Sequence, residues 1–193
     1  MNFLAHLFLS CDNDYLMVGN FVADSIQNRD VPDFPEGVQE GITLHRKIDS
    51  YTDSHPKVLE GTKVLHEKHH KYAPVLIDVY FDYFLSKNWN NYSEIPLEDF
   101  TRETYLTLEK YLHLMPPVLQ HRLPLMIADN WLMNYTTREG LEFTFDKMKR
   151  RVKYPGLIEG ATDTLFKYHD HLNEVFLDFF PDVIEYVRKE CEC

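Results

Sequence analysis

The segment from Val75 to Leu85, Val-Leu-Ile-Asp-Val-Tyr-Phe-Asp-Tyr-Phe-Leu, is apolar at nearly every position and yet contains two carboxylates, Asp78 and Asp82. A helix that is apolar on every side is typical of a protein interior. A spacing of four residues places both carboxylates on one face, one turn apart. Because burying a carboxylate is costly unless it is paired or bound to a metal, the segment predicts a buried helix with a polar function.

Similar polar pairs recur on other segments with a helical pattern. They are Asn20 with Asp24, His45 with Asp49, and Asp49 with Asp53 if that helix continues for another turn. His6 adds an imidazole to the apolar first segment. A single pair usually marks a solvated helix face, but three pairs on successive segments indicate a shared metal site. These three pairs are Asn20 with Asp24, His45 with Asp49, and Asp78 with Asp82. Imidazole and carboxylate ligands suit Mn²⁺, Mg²⁺, Fe²⁺ or Zn²⁺, and several carboxylates favour the harder ions.

The period of the apolar residues predicts an all-α fold, a single compact helical domain over residues 1–193. After a first helix at the N-terminus, we expect helices over about 14–28, 36–51, 56–71, 74–88, 96–114, 118–135, 138–151 and 157–180. Pro124 is expected to divide the segment 118–135 into two short helices, and Pro181 to interrupt the last helix.

The charge and the cysteines limit the possible partners and the compartment. Asp and Glu total 31 against 20 Lys and Arg, a formal net charge of −11, so binding to nucleic acid is not expected. No apolar run approaches the roughly 20 residues of a membrane span, and the N-terminus does not read as a signal peptide. Cys11, Cys191 and Cys193 form no disulfide framework, which favours inert free thiols and a reducing cytoplasm.

Two histidine motifs offer alternative metal sites. The run His66-Glu67-Lys68-His69-His70 fits the H-E-x-x-H pattern of zinc proteases, but neighbouring lysines favour a solvated surface helix. His169-Asp170 is the only contiguous His-Asp pair, and helix capping, surface pairing or packing is the favoured role.

Four motifs follow one another in the first half of the chain. They are MNFLAHL from Met1, GNFVAD from Gly19, GITLHRKID from Gly41 with Thr52-Asp53 after it, and DVYFDYFL from Asp78. This succession resembles the acyl carrier protein phosphodiesterase family, and the resemblance extends more loosely through Trp131-Leu132 and Arg150-Arg151 to Phe180-Pro181. The family is regarded as a divergent branch of the HD phosphohydrolases, so the resemblance implies an HD-domain-like helical fold.

The resemblance also implies a reaction and its residues. The reaction is hydrolysis of the phosphodiester that joins 4′-phosphopantetheine to a serine of holo-acyl carrier protein, with a divalent metal, most often Mn²⁺. Carried over by motif, the metal ligands are His6, Asp24, His45 and Asp78, and the catalytic support is Arg46, Asp49, Asp53 and Asp82. Substrate contacts are expected from Asn20, Arg46, Arg150 and Arg151. Arg46 is expected to clamp a phosphate oxygen, and Asp49 or Asp82 to orient a histidine or accept a proton.

Basic side chains concentrate in one short segment. Five of them fall within seven positions: Lys147, Lys149, Arg150, Arg151 and Lys153. Because acyl carrier proteins are acidic, this cluster, with Arg46 and Lys47, is the predicted docking patch. A solvated helix end is the alternative, since cations favour a helix C-terminus.

Two other functions stay open on the sequence. The first is an HD-type phosphohydrolase of nucleotides or other small phosphodiesters. The second is a non-catalytic helical module that binds a protein partner and holds a structural metal. The carrier protein is the expected substrate, and the oligomeric state is not specified by any motif.

Overall fold

Eleven α-helices and no β-strand make up the computed structural model, which describes residues 1–193. They are α1 (Phe3–Phe8), α2 (Asp14–Val22), α3 (Glu36–Ser54), α4 (Pro56–His69), α5 (Ala73–Lys87), α6 (Leu97–Lys110), α7 (Pro117–Ala128), α8 (Trp131–Asn134), α9 (Arg138–Lys149), α10 (Ala161–Lys167) and α11 (His169–Cys191). The buried hydrophobic side chains form one continuous cluster. The prediction of an all-α, single compact helical fold is confirmed.

Helix α5 lies at the centre of that cluster, as its apolar sequence predicts. From Leu76 to Leu85 every residue is buried except Asp78, which is partly exposed. Asp82 is fully buried and accepts hydrogen bonds from the backbone N–H groups of Leu4 (2.8 Å) and Ala5 (3.1 Å). These N–H groups have no partner within a helix, since they belong to its first turn. Asp82 therefore fixes the N-terminal end of α1 against α5.

Two prolines lie inside helices, where the sequence analysis placed helix ends. Pro124 lies within α7 and Pro181 within α11. A proline in a helix removes its own N–H and frees the carbonyl four residues earlier. Those carbonyls belong to Gln120 and Leu177, which are both on the exposed surface, so water can satisfy them. The predictions of a division at Pro124 and of an interruption at Pro181 are wrong for this reason.

The actual helix breaks occur where the backbone turns. Asn130, with φ of 45°, adopts the left-handed conformation between α7 and α8. The predicted helix over 157–180 is two helices, because Tyr168 separates α10 from α11, and α10 begins only after Gly160, whose φ is 65°. Helix α2 ends at Val22, and a 3₁₀ turn over Ala23–Ser25 follows it. Helix α3 continues to Ser54, so Asp53 lies one turn after Asp49, as the spacing requires.

Helices α2 and α3 approach each other closely at two glycines. A Cβ atom on Gly19 would lie 2.3 Å from the carbonyl oxygen of Val38, and one on Gly41 would lie 2.5 Å from that of Leu16. No side chain larger than hydrogen fits at either position. Since Asn20 follows Gly19 and His45 lies one turn after Gly41, this contact sets the distance between the polar groups of α2 and α3.

The two ends of the chain meet in a disulfide between Cys11 and Cys193, whose Cα atoms are 6.0 Å apart. The expectation that neither residue forms a disulfide is wrong, and only Cys191 is a free thiol. The pairing was not visible in the sequence because 182 positions separate the two cysteines. Packing of α11 brings its C-terminal end beside the loop that follows α1.

The two alternative histidine motifs do not form metal sites. His66 and Glu67 are exposed or nearly so, in agreement with a solvated helix face. His69 is fully buried, but its Nδ1 lies 2.7 Å from the carbonyl of Leu157 and its Nε2 2.8 Å from the hydroxyl of Thr164. Both ring nitrogens are thus engaged in joining α4 to α10 and the turn before it.

His169 lies at the first position of α11 and contacts Asp170 through Nδ1 at 3.1 Å. Its ring also packs against Tyr83 and Phe84, which is the surface pairing and packing that the sequence favours. None of the eleven helices combines the length and the apolar character that crossing a bilayer requires.

Candidate metal centre

Three side chains from two helices converge at the N-terminal end of the fold. The rings of His6 on α1 and His45 on α3 stack with their centroids 3.9 Å apart. Asp49 reaches both rings, since its Oδ1 lies 3.0 Å from His6 Nε2 and its Oδ2 lies 3.2 Å from His45 Nε2. One ligand atom from each residue lies within 4.8 Å of the others, which is the spacing of a metal triad.

Asp24 completes this group from a third element. It lies in the 3₁₀ turn after α2, and its Oδ1 is 3.2 Å from His45 Nε2. The predicted ligands His6, Asp24 and His45 are therefore brought together. Asp49, which was assigned to the support around the metal, lies at the centre of the group because it is the i+4 neighbour of His45 and faces His6.

The tautomer of His6 follows from its neighbours. The hydroxyl of Ser10 donates to the carbonyl of His6 (2.9 Å), so its oxygen accepts from the side-chain amide of Asn20 (3.0 Å). The amide oxygen of Asn20 then faces His6 Nδ1 at 3.3 Å and accepts its hydrogen. With the hydrogen on Nδ1, the lone pair of the neutral ring is on Nε2.

The lone pair of His6 Nε2 therefore faces the carboxylate oxygen of Asp49 at 3.0 Å. Two acceptors at this distance repel each other unless a proton or a cation lies between them. Burial lowers the pKa of His6 to about 4, so the ring does not hold a second proton near neutral pH. Imidazole nitrogen with carboxylate oxygen is a donor set that divalent transition metals accept, and the residues fit such an ion.

His45 differs from His6, because its surroundings favour the protonated form of the ring. Burial opposes protonation of His45, but hydrogen bonds to Asp24 and Asp49 raise its pKa to about 9. Partial burial of Asp49 acts to raise its pKa, but the contacts with His45 and His6 hold that pKa well below its usual range. His45 Nδ1 is buried without a hydrogen-bond partner. The ring of His45 therefore has no contact equivalent to the one between Asn20 and His6 Nδ1.

Asp78 occupies a neighbouring position rather than the triad itself. It lies 3.0 Å from the terminal amine of Met1, which is also 3.4 Å from Asp49. Burial raises the pKa of Asp78, and the positive charge on Met1 counteracts this. Asp82, one turn later, contacts the backbone of α1 and not the histidines, and burial raises its pKa to about 7.

The remaining predicted site residues lie at different distances from the triad. Asn20 is buried and orients His6, so its contact is with a ligand. Arg46 and Asp53 are exposed on α3. Arg46 follows His45 and therefore points about 100° away from it around the helix. Ser10 was missed by sequence reasoning, because a serine after an apolar helix carries no signal of its contact with Asn20.

A cleft of about 240 Å³ opens beside the triad. Asp24, Asp78 and Met1 line the side nearest the triad, since Asp24 contacts His45 and Met1 contacts Asp49. Its walls come mostly from the second half of the chain: Val75, Trp131, Asn134, Tyr135, Phe143, Thr144, Lys147, Met148 and Arg151. A molecule that contacts the triad can therefore extend along this cleft toward α8 and α9.

A second, more open groove adjoins the cleft on the outer surface. It shares Trp131, Lys147 and Arg151 with the cleft, and is otherwise lined by Val118, His121, Arg122, Leu125, Asp129 and Arg150. Arg151 is close enough to Arg122 to lower its pKa, together with the larger effect of burial. The groove is thus the basic face of an acidic protein, and α7 contributes four lining residues to it, among them His121 and Arg122, which the sequence did not identify.

Comparison with known proteins places these features in one family. A profile described as acyl carrier protein phosphodiesterase matches residues 1–183. The chain is 27% identical over 186 residues to a protein of that name from Photorhabdus laumondii, covering 96% of this chain and 94% of that one. It is 30% identical over 182 residues to one from Enterobacter sp. strain 638, covering 94% of each. No solved structure matches the chain.

Proposed function

This chain belongs to the acyl carrier protein phosphodiesterase family, and from that premise we propose that it hydrolyses holo-acyl carrier protein. The bond cleaved is the phosphodiester between 4′-phosphopantetheine and a serine of the carrier. The products are apo-carrier and free 4′-phosphopantetheine. The observation that supports this most is the convergence of His6, His45 and Asp49 beside an open cleft.

We propose that His6, His45, Asp49 and Asp24 hold a divalent cation, and that Mn²⁺ is the ion. A carboxylate-rich set with two imidazoles favours such a hard or borderline ion. When bound, the cation supplies charge stabilisation for the phosphate and makes water a better nucleophile. Asp78 stays a predicted ligand, and in the structure it pairs with the terminal amine of Met1 at 3.0 Å.

The residues around the triad have separable roles in this proposal. Asn20 orients His6, and Asp82 holds the first turn of α1, so that both act through the position of the imidazole. Asp78 lines the cleft together with Asp24. Arg46 as a phosphate clamp and Asp53 as a supporting carboxylate stay predictions, and both are exposed on α3.

Mass spectrometry of holo-acyl carrier protein tests the reaction. Incubation with this protein and Mn²⁺ is expected to remove the mass of the 4′-phosphopantetheine group and to yield apo-carrier. A chelator should prevent the change. Unchanged holo-carrier, with turnover of nucleotide diesters in the same buffer, would instead identify the chain as a phosphohydrolase of small diesters.

We propose that the basic groove on α7 and α9 docks the acidic carrier. Lys147 and Lys149 are paired with Asp129 (2.9 Å) and Asp146 (2.6 Å). Arg150 and Arg151 are exposed and have no carboxylate partner. Unpaired guanidinium groups on a chain of net charge −11 provide the local complementarity that a large acidic substrate needs. A carrier substrate also implies that the protein acts in the cytoplasm.

Charge reversal in this groove is expected to affect the carrier selectively. Arg122→Glu with Arg150→Glu should raise KM for holo-carrier by about tenfold or more, because both residues line the groove and not the cleft, and the substitutions replace attraction by repulsion. Turnover of an aryl phosphodiester, which does not reach the groove, should change little. Lys63→Glu, at an exposed site on α4, is the matched control. Equal losses on both substrates would show that the arginines act on the structure and not on docking.

A further inference from the structure

The cleft beside the triad has features that match one part of the proposed substrate. Resting on the proposed function, we propose that this cleft holds the pantetheine arm and that Trp131 and Phe143 are the residues that recognise it. The arm is the flexible chain that continues from the phosphate to the terminal thiol.

The first argument is position. The side of the cleft nearest the triad is formed by Asp24, which contacts His45, and by Asp78. A phosphate held at the triad therefore lies at that side of the cleft. From that phosphate the substrate continues in two directions, into a folded carrier and into a slender arm. Only the arm fits a space of about 240 Å³, whereas the carrier fits the open basic groove outside.

The second argument is the chemistry of the walls. Phe143 and Val75 are each 40% exposed, although they lie in the cleft, and Trp131 and Met148 add further apolar surface. Exposed aromatic surface in a concave site is the usual lining for a small-molecule ligand. A pantetheine arm is uncharged and carries a gem-dimethyl group, two amides and a thiol. Its methyl groups suit the aromatic rings.

The amides of the arm also find partners in the cleft. Asn134 lines it with a side-chain amide that makes no hydrogen bond within the protein. Thr144 donates its hydroxyl hydrogen to the carbonyl of Gly140 at 2.9 Å, so its oxygen still accepts a hydrogen bond. A cleft with a few polar groups between apolar walls can orient such a ligand.

The third argument is the way Trp131 is held. Its indole N–H donates to Asp129 (3.3 Å), which also pairs with Lys147 (2.9 Å). The ammonium group of Lys147 lies 4.1 Å from the centroids of both the Trp131 and the Phe143 rings. The lysine is therefore neutralised by Asp129 and covered by two aromatic faces. This arrangement pairs the charge of Lys147 and presents the aromatic surface of Trp131 and Phe143 to the inside of the cleft.

Tryptophan fluorescence provides a direct test without turnover or metal. The chain has two tryptophans, and Trp89 is only 3% exposed and lies away from the cleft. Adding reduced pantetheine, which has no phosphate, is expected to change the emission of Trp131 in a saturable way. The Trp131→Phe variant, in which only Trp89 emits, should show no change.

Calorimetric titration with pantetheine then tests recognition by the second ring. Phe143→Ala should weaken binding by about tenfold, which corresponds to about 1.4 kcal/mol. Phe166→Ala is the matched control, since Phe166 is 37% exposed and lies outside the cleft. Circular dichroism should show that all variants keep the helical fold. Absence of saturable binding to the wild type, or equal weakening by both variants, would overturn the assignment.

The test separates this inference from the proposed reaction. If pantetheine binds as expected while holo-carrier stays intact, the cleft assignment holds and the proposed function is wrong. If holo-carrier is hydrolysed but pantetheine does not bind, the reaction holds and the arm lies elsewhere.

Discussion

Replacement of Asp49 by asparagine is expected to lower kcat/KM by about a thousandfold or more, which is a loss of about 4 kcal/mol of transition-state stabilisation. Asp49 is the one residue that contacts both His6 and His45. The substitution preserves the shape of the side chain but removes its charge and one oxygen ligand. Binding of Mn²⁺, measured by metal analysis of the dialysed protein, should fall with the activity.

The fold of this variant should remain intact. An amide N–H in place of the carboxylate oxygen can donate to the lone pair of His6 Nε2, which relieves the repulsion between two acceptors. Glu40→Gln is the matched control, because Glu40 is an exposed acidic residue on the same helix. Full metal content and full turnover in the Asp49→Asn variant would remove Asp49 from the centre and leave Asp24 and Asp78 as the carboxylates to test.

Replacement of Gly41 by alanine is expected to destabilise the protein by about 3 kcal/mol, which corresponds to a fall in Tm of roughly 6–12 °C. The new Cβ would lie 2.5 Å from the carbonyl oxygen of Leu16 and 2.8 Å from the Cα of Gly19. Both are backbone atoms, so the clash cannot be relieved by rotation of a side chain. Helix α3 has to move away from α2, which also separates His45 from Asp24.

A loss of stability in Gly41→Ala would distinguish a backbone clash from the usual effect of replacing glycine by alanine in a helix. In a helix interior, glycine to alanine otherwise stabilises by about 0.8–1.0 kcal/mol. Gly156→Ala is the control, because a Cβ there meets no atom within 4 Å. Differential scanning calorimetry with Mn²⁺ titration would measure both consequences. An unchanged Tm together with unchanged metal affinity would show that α2 and α3 do not need this close contact.

The helical segments were predictable because they rest on local pattern. Apolar periodicity located nearly every helix, and Thr137 caps α9 by accepting a hydrogen bond from Gly140. The wrong predictions concern features that depend on tertiary packing as well as on the local sequence. Pro124 and Pro181 remain inside helices because their freed carbonyls face solvent. No local rule shows that Cys11 and Cys193 become neighbours.

The sequence singled out the residues that converge at the candidate site, but it did not show how they are arranged. The sequence placed His6, Asp24, His45 and Asp49 on helices, each with an i+4 partner or an apolar surrounding. Which carboxylate lies between the two histidines depends on how α1, α2 and α3 cross, and the contact between Gly19 and Gly41 decides this. The structure puts Asp49 at the centre and Asp78 beside Met1.

The sequence by itself determined that this chain forms helices, that α5 is buried and that polar groups share the helix faces turned toward the interior. These properties follow from side-chain spacing within one helix. Only the tertiary structure decided that His6 Nε2 faces Asp49, that Trp131 and Phe143 line a cleft next to Asp24, and that Arg122 joins Arg151. Each of these contacts joins residues far apart in the chain, and their distance depends on the packing of whole helices, which no local spacing contains.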